Sequence, residues 1–351
     1  MNQLVDFGWT DTFQEKWEPF AAEGMRPARV IADFGTSLKI AAPQILPAEL
    51  SGRLAHYAVR EHAPKVGDWV AVRLSDNGPA VIEHVLPRRS EIVRKVAGKR
   101  VMKQIIAANV DIAFVLLALD GDFSVERLKR FLYQLSINHI DAVIVLNKAD
   151  KTNDVALYAD QLRTLKLPII ISAATEGLGV DEIMSCIKPS HTAILLGSSG
   201  VGKSTLTNRL LGRHAQETQD VRASDDTGKH TTVHRELFVL PNGGLLIDTP
   251  GIRELQLWGT EDDLDENFDD VAALISQCKY ASCTHTSESG CAIRAALRTG
   301  VLETSHYASY VAMKRELSAL EKKHSVRKQR DNKKSHKNVT RQDQDRAKDW
   351  L

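Results

Sequence analysis

Thr192-Ala193-Ile194-Leu195-Leu196 runs directly into Gly197-Ser198-Ser199-Gly200-Val201-Gly202-Lys203-Ser204-Thr205, and the reading of this stretch decides the fold. An apolar strand, a glycine-spaced turn and Lys-Ser opening the helical run STLTNRLL match a phosphate-binding loop in both spacing and context. Glycines let backbone N–H groups converge on phosphate oxygens, and the helix N-terminus adds a favourable dipole. Lys203 is placed to reach β- and γ-phosphates, and the Ser204 hydroxyl to ligate Mg²⁺. A turn of purely structural purpose has no need of Lys-Ser behind its last glycine.

Outward from this loop, residues 111–250 alternate between strands and helices. Apolar runs at 112–119, 142–146, 168–171 and 192–196 read as buried strands, and 125–137, 154–165 and 180–187 as helices. Such alternation implies a largely parallel α/β sheet with ligands bound at the carboxyl ends of its strands. Asn147-Lys148-Ala149-Asp150 follows one such strand. The Asp150 carboxylate suits the guanine N1–H and exocyclic amine, a donor pair that adenine lacks; an unmatched acid is heavily penalised. The stem of Lys148 can cover the base, and Asn147 can bind across to the phosphate-loop backbone. Ser172-Ala173, after Pro168–Ile171, fits a further loop whose N–H reads guanine O6. Asp248-Thr249-Pro250-Gly251 ends another apolar strand. Asp248 can hold Mg²⁺ through water, and the Gly251 N–H can meet the γ-phosphate. The polar stretch 225–236 has the character of a switch loop. Thr231 or Thr232 would complete the Mg²⁺ shell, with Thr232 slightly preferred.

Upstream, residues 26–87 read as five short strands (26–33, 37–41, 49–55, 68–74 and 80–86) punctuated by Gly, Pro and an Asn-Gly turn signal. Five strands in so short a span fit a small β-barrel of OB type. Near the other end, Cys278, Cys283, His285 and Cys291 place three thiols and an imidazole close together. That inventory suits tetrahedral Zn²⁺ in a closed, structural site. Cys186 stands apart in a helical run and reads as a core thiol.

The 351 residues carry 46 Lys+Arg against 45 Asp+Glu, a formal charge of +1. Length and composition fit a soluble protein of two or three domains. No apolar run approaches a membrane span, no signal core is evident at the start, and four cysteines make no disulfide scaffold, so a cytoplasmic setting without a membrane partner is expected. The near-zero sum hides a distribution. Residues 88–103 carry net +6, residues 261–270 net −7, and the tail from Lys322 net +7. These blocks suggest seams between units, and the basic tail suits RNA phosphate.

A conventional GTPase runs phosphate loop, switch threonine, DxxG, NKxD, SA loop. Here NKAD at 147 and SAA at 172 precede the phosphate loop at 197 and DTPG at 248, a circular permutation. Across roughly residues 26–310 the chain resembles the ribosome small-subunit-dependent GTPase A family. Leu86-Pro87-Arg88-Arg89-Ser90, GKHTT and DTPGIRE contribute to the resemblance, and the spacing of the Cys3His cluster matches that family's. The expected organisation is an N-terminal extension (1–25), an OB-type barrel (26–90), a permuted G domain (91–257), a zinc-stabilised helical domain (258–320) and a basic tail (321–351), the first and last lying outside the stretch that carries the resemblance. The resemblance implies a monomer that binds GTP and GDP, engages the small (30S) ribosomal subunit and its rRNA, and hydrolyses GTP with Mg²⁺ during late maturation. Ile252 follows DTPG where many GTPases carry a water-orienting glutamine, and it has no hydrogen-bonding group. The resemblance suggests His230 in that role, with an imidazole able to serve near neutral pH. A site so equipped should turn over slowly alone, and a partner that orders it could add roughly 10³–10⁵-fold. Two other readings stay open: an RNA-binding assembly module using guanine nucleotide as a conformational ligand, and a P-loop kinase or ATPase, against which Asp150 argues.

Overall fold

Short runs rich in Ala, Val and Ile build the first strands of the computed structural model. It describes residues 2–21, 23–35, 37–57, 63–75, 78–95, 103–212, 235–248 and 257–322. Strands β1 (Arg26–Asp33), β2 (Leu38–Ala42), β3 (Gln44–Leu50), β4 (Trp69–Arg73) and β5 (Ala80–Val85) pair in the order β1-β2-β3-β5-β4, and β4 returns to β1. Every pairing is antiparallel except β3–β5, so the strands close into an OB-type barrel. Val30, Ile40, Val70, Val72 and Ile82 fill its interior.

The strand expected at 49–55 is a correction. β3 lies earlier, at Gln44–Leu50, and Gly52–Tyr57 is helical. Ser51 is responsible: its Oγ accepts from Leu54 N at 3.2 Å and its carbonyl from Ala55 N at 2.8 Å, an N-cap that turns the chain. The first 25 residues, which carried no structural expectation, form helices Asn2–Val5 and Asp11–Ala21. Phe13 and Trp17, one helical turn apart, pack with Trp69 and Leu86 of the barrel.

After the barrel, β6 (Glu91–Lys95), inside the basic block 88–103, forms a two-stranded sheet with β7 (Lys103–Ala108), which starts at the end of that block. Six further strands follow: β8 (Ile112–Ala118), β9 (Asp141–Asn147), β10 (Ile169–Ile171), β11 (Thr192–Leu196), β12 (Arg235–Val239) and β13 (Leu245–Asp248). Their order is β10-β9-β8-β11-β13-β12, parallel except for the β12–β13 pair. The period of two divides the apolar side chains between faces. Val115, Leu117, Ile144, Leu146, Ile194 and Leu196 enter one core; Phe114, Leu116, Val143, Val145 and Leu195 enter the other. Strand β12 also pairs antiparallel with β1 at Ala32–Glu236 and Asp33–Arg235, so the barrel continues the sheet. Helices Val125–Ser136 and Val180–Cys186 fall close to the expected spans. The span 154–165 instead breaks into a helix Val155–Asp160 and a 3₁₀ turn Arg163–Leu165.

Chain contacts divide the protein into two compact units: Met1–Arg94 with Lys103–Gln256, and Lys95–Met102 with Leu257–Leu351. In the second unit the acidic block 261–270 begins just past the division at Gln256/Leu257, as a seam should, and is itself helical. Helices Glu261–Asn267 and Asp269–Ser276 place acids in their first turns, where the dipole favours them, and Thr260 with Asp263 forms a capping box. Helix Ala292–Thr299 and a helix over 304–322 complete the described part. Lys314 on the latter pairs with Glu261 and Asp265, so part of the acidic charge is spent within the unit.

Candidate nucleotide site and metal centre

The topology gathers the sequence motifs at the carboxyl ends of β8, β9, β10, β11 and β13. Gly197 leaves β11 at φ +143°, and a Cβ there would meet the Leu116 carbonyl at 2.6 Å. Gly202 precedes the helix Lys203–Leu211 at φ +99°, where a Cβ would lie 2.3 Å from Asn147 Nδ2. The phosphate loop therefore has no space for side chains at these two positions, and its backbone lies against the loop 147–150 that begins with Asn147.

Asn147 fastens three loops together. Its side chain is buried, donating through Nδ2 to Val201 O at 2.7 Å and accepting at Oδ1 from Ala174 N at 3.2 Å. Ala149 N donates to Ser172 O at 3.0 Å, and Ser172 Oγ donates to Leu178 O at 3.0 Å. Lys148 adopts a left-handed φ of 62°. Asp150 pairs with Lys151 at 2.8 Å, and that hydrogen bond holds its carboxyl below the usual range, ready to accept.

Lys203 folds back onto its own loop, with Nζ donating to Gly197 O at 2.7 Å and Ser198 O at 2.5 Å. Burial lowers its pKa to about 8, with the charges of Asp248 and Asp122 opposing the shift. Ser204 and Thr205 occupy the first turn of the helix behind it. Asp248 is buried at the end of β13, alongside β11. Gly251, Ile252, His230, Thr231 and Thr232 lie outside the described residues.

Two side chains at this site had no place in the sequence reading. The turn after β8 carries Asp120, which binds Lys148 Nζ at 2.5 Å, and Asp122, which binds Ser198 Oγ and Arg127. It bridges the base-reading and phosphate loops because β8 lies between β9 and β11. The available signal was an Asp-Gly-Asp turn at a strand's carboxyl end.

In the second unit, Cys278, Cys283, His285 and Cys291 converge with their ligand atoms within 4.8 Å of one another. His285 Nδ1 lies 3.6 Å from Cys278 Sγ and 3.5 Å from Cys291 Sγ. Ligands about 2.0–2.3 Å from a tetrahedral metal stand roughly 3.5–3.8 Å apart, so the donor set fits a metal ion in both chemistry and spacing. Cys186 is half-buried at the end of helix Val180–Cys186, packed beside the sheet.

A phosphate loop whose base-reading loops come earlier in the chain, on a sheet continued by an OB-type barrel, defines a circularly permuted P-loop GTPase. The family model described as RsgA GTPase matches residues 85–258. A small ribosomal subunit biogenesis GTPase RsgA from Opitutus terrae is 42% identical over 327 residues, covering 89% of each chain. One from Leptospira interrogans serovar Lai is 36% identical over 352 residues, covering 99% of this chain and 97% of the relative. This chain belongs to the RsgA GTPase family. Its fold is shared with YjeQ from Thermotoga maritima (TM-score 0.61, 24% identity, 84% of this chain and 98% of that one). It is also shared with YloQ, a circularly permuted GTPase (TM-score 0.59, 22% identity, 84% and 96%).

Proposed function

We propose that this protein binds GTP while engaged with the small ribosomal subunit and its rRNA, and hydrolyses it there during late maturation of the subunit. The observation that carries the reading is Asn147, whose amide joins the guanine-reading, Ser172-Ala173 and phosphate loops into one site. Asp150 and Lys148 read and cover the base, the loop Gly197–Gly202 cradles the phosphates, and Lys203 leaves its carbonyls for the β- and γ-oxygens. Ser204, Asp248 and Thr232 offer the hard oxygen donors that suit Mg²⁺. Bound there, Mg²⁺ would neutralise charge on the γ-phosphate as water attacks. His230 orients that water, and the Cys3His centre holds one structural Zn²⁺. Among the described residues no helix is long and apolar enough to cross a membrane, which is compatible with a cytoplasmic site of action.

The test is GTP turnover with and without purified small subunits. Stimulation of about 10³-fold or more supports the reading, and equal rates refute it. Stimulated turnover over many cycles also separates a hydrolase from a module that uses nucleotide only as a conformational ligand. In the same assay, His230→Ala is expected to reduce stimulated turnover about 10²-fold with little change in GTP affinity. Unchanged turnover would remove His230 from the mechanism.

Lys203 gives nucleotide affinity a pH dependence. Its pKa is about 8 without nucleotide. Phosphate oxygens favour the charged form and raise that pKa in the complex, so binding takes up a proton above pH 8. GDP affinity should be about three- to five-fold weaker at pH 8.5 than at pH 7. A flat titration through pH 8.5 would show that the lysine is already charged.

A further inference from the structure

The loop that opens at Cys283 and ends at Cys291 contains no helix or strand, yet it carries three of the four candidate ligands, Cys283, His285 and Cys291. One carboxylate organises it. Glu288 Oε1 accepts from Thr284 N at 2.8 Å and Thr284 Oγ1 at 2.5 Å. Its Oε2 accepts from Thr286 N and Ser287 N, each at 3.0 Å. Thr284 and Thr286 flank His285, whose left-handed φ of 61° is a conformation that a non-glycine residue holds only under constraint. The Glu288 carbonyl in turn accepts from Arg294 Nη1 at 3.3 Å, tying the loop to the helix that Cys291 caps. Thr284, Thr286 and Ser287 are exposed while Glu288 is half-buried, so the acid turns inward among polar neighbours.

These contacts hold the backbone on both sides of a ligating histidine without using a ligand atom. A short polar loop left free would have to be ordered when metal binds, and that entropy would be subtracted from affinity. Groups that orient ligands from behind commonly change metal affinity 10–100-fold when removed. We propose that Glu288 is a positioning residue for the metal centre, its carboxylate fixing the Cys283–Cys291 loop in the ligating conformation. The proposal rests on the zinc reading above.

The experiment uses the full chain, with zinc content measured first and zinc affinity then measured by competition with a colorimetric chelator. A wild-type chain carrying about one zinc supports the centre itself. Glu288→Ala should then bind zinc about 10–100-fold more weakly, and Glu288→Gln, which keeps one acceptor oxygen, should fall between. Asp262→Asn removes a charge from an exposed position in the same unit and should leave zinc affinity unchanged. Should Glu288→Ala not fold, Thr284→Val deletes one of the donors and should still weaken zinc binding about two- to five-fold. Affinities for the Glu288 variants within two-fold of wild type would overturn the proposal. So would an Asp262→Asn effect of equal size, which would assign the change to charge rather than position. A wild-type chain that neither carries nor takes up zinc overturns the zinc reading and this proposal with it.

Discussion

Arg29→Met is expected to destabilise the unit containing the barrel and the nucleotide site by about 3–5 kcal/mol, a fall in thermal midpoint of about 6–20 °C. The guanidinium is buried, with a relative exposure of 1%. Its Nε donates to Gly67 O at 3.2 Å, and Nη2 donates to Thr192 Oγ1 at 2.8 Å and Asn109 O at 3.4 Å. Nη1 donates to Phe7 O, and the group lies 5.4 Å from the centre of the Trp69 ring. One side chain thus joins the N-terminal segment, the barrel, the turn before β8 and the first residue of β11. Burial lowers its pKa to about 10, so it stays charged at neutral pH, helped by Asp111 and Asp68. Methionine matches much of the volume but leaves the Phe7 and Asn109 carbonyls and the Thr192 hydroxyl without this donor, at about 1–3 kcal/mol each, less the desolvation recovered by removing a charge; Gly67 O keeps Asn109 Nδ2 at 2.9 Å. Arg29→Lys keeps the charge without the planar fork and should lie between the two. Thermal melts of the three proteins decide the matter. A methionine variant that melts with wild type would show that the barrel holds its place by other means.

The same residue shows where sequence reading reached its limit. Strands β8, β9 and β11 were legible because both faces are buried, leaving uninterrupted Val, Ile and Leu runs that end at functional loops. The link from Asn147 to the phosphate-loop backbone was legible because both motifs sit at the ends of apolar strands, and its amide does reach Val201 O. Arg29 was not: within RPARVIAD an arginine in a strand looks like a solvated side chain, and its acceptors are backbone carbonyls from distant segments. Asp120 and Asp122 were hidden for a similar reason, since acids in a Gly-containing turn usually face water. The N-terminal helices escaped notice because only Phe13 and Trp17 anchor the second of them, too few to set up a period. The strand expected at 49–55 failed on Ser51, a capping residue flanked by residues acceptable in a strand. The cysteine cluster could be read from composition alone, whereas the carboxylate that shapes its loop has no signature beyond being a glutamate.

Asp150→Asn is expected to exchange the base rather than merely weaken binding. Guanine offers two donors on one edge, N1–H and the exocyclic amine, and a carboxylate accepts both. An amide in its place accepts one and turns its own NH₂ toward the amine, so one donor is left facing another. The loss for GTP and GDP should be about 10³-fold. Xanthine keeps N1–H but carries a carbonyl where guanine carries the amine, and the introduced amide matches it with one acceptor and one donor. Xanthosine nucleotides should therefore bind the variant more tightly than guanosine nucleotides do, and subunit-stimulated turnover should return with xanthosine triphosphate as substrate. The loop itself should survive the change, because it is held by Asn147 to Val201 O and Ala174 N and by Ala149 N to Ser172 O, none of which is altered. Titrating wild type and variant with fluorescent guanosine and xanthosine diphosphates gives both ratios. Two results would count against Asp150 as the base-reading group: guanosine affinity that survives the substitution, or guanosine affinity that is lost without any gain for xanthosine. The first would place the base elsewhere on the sheet, and the second would mean that Asp150 supports the loop rather than reads the ring.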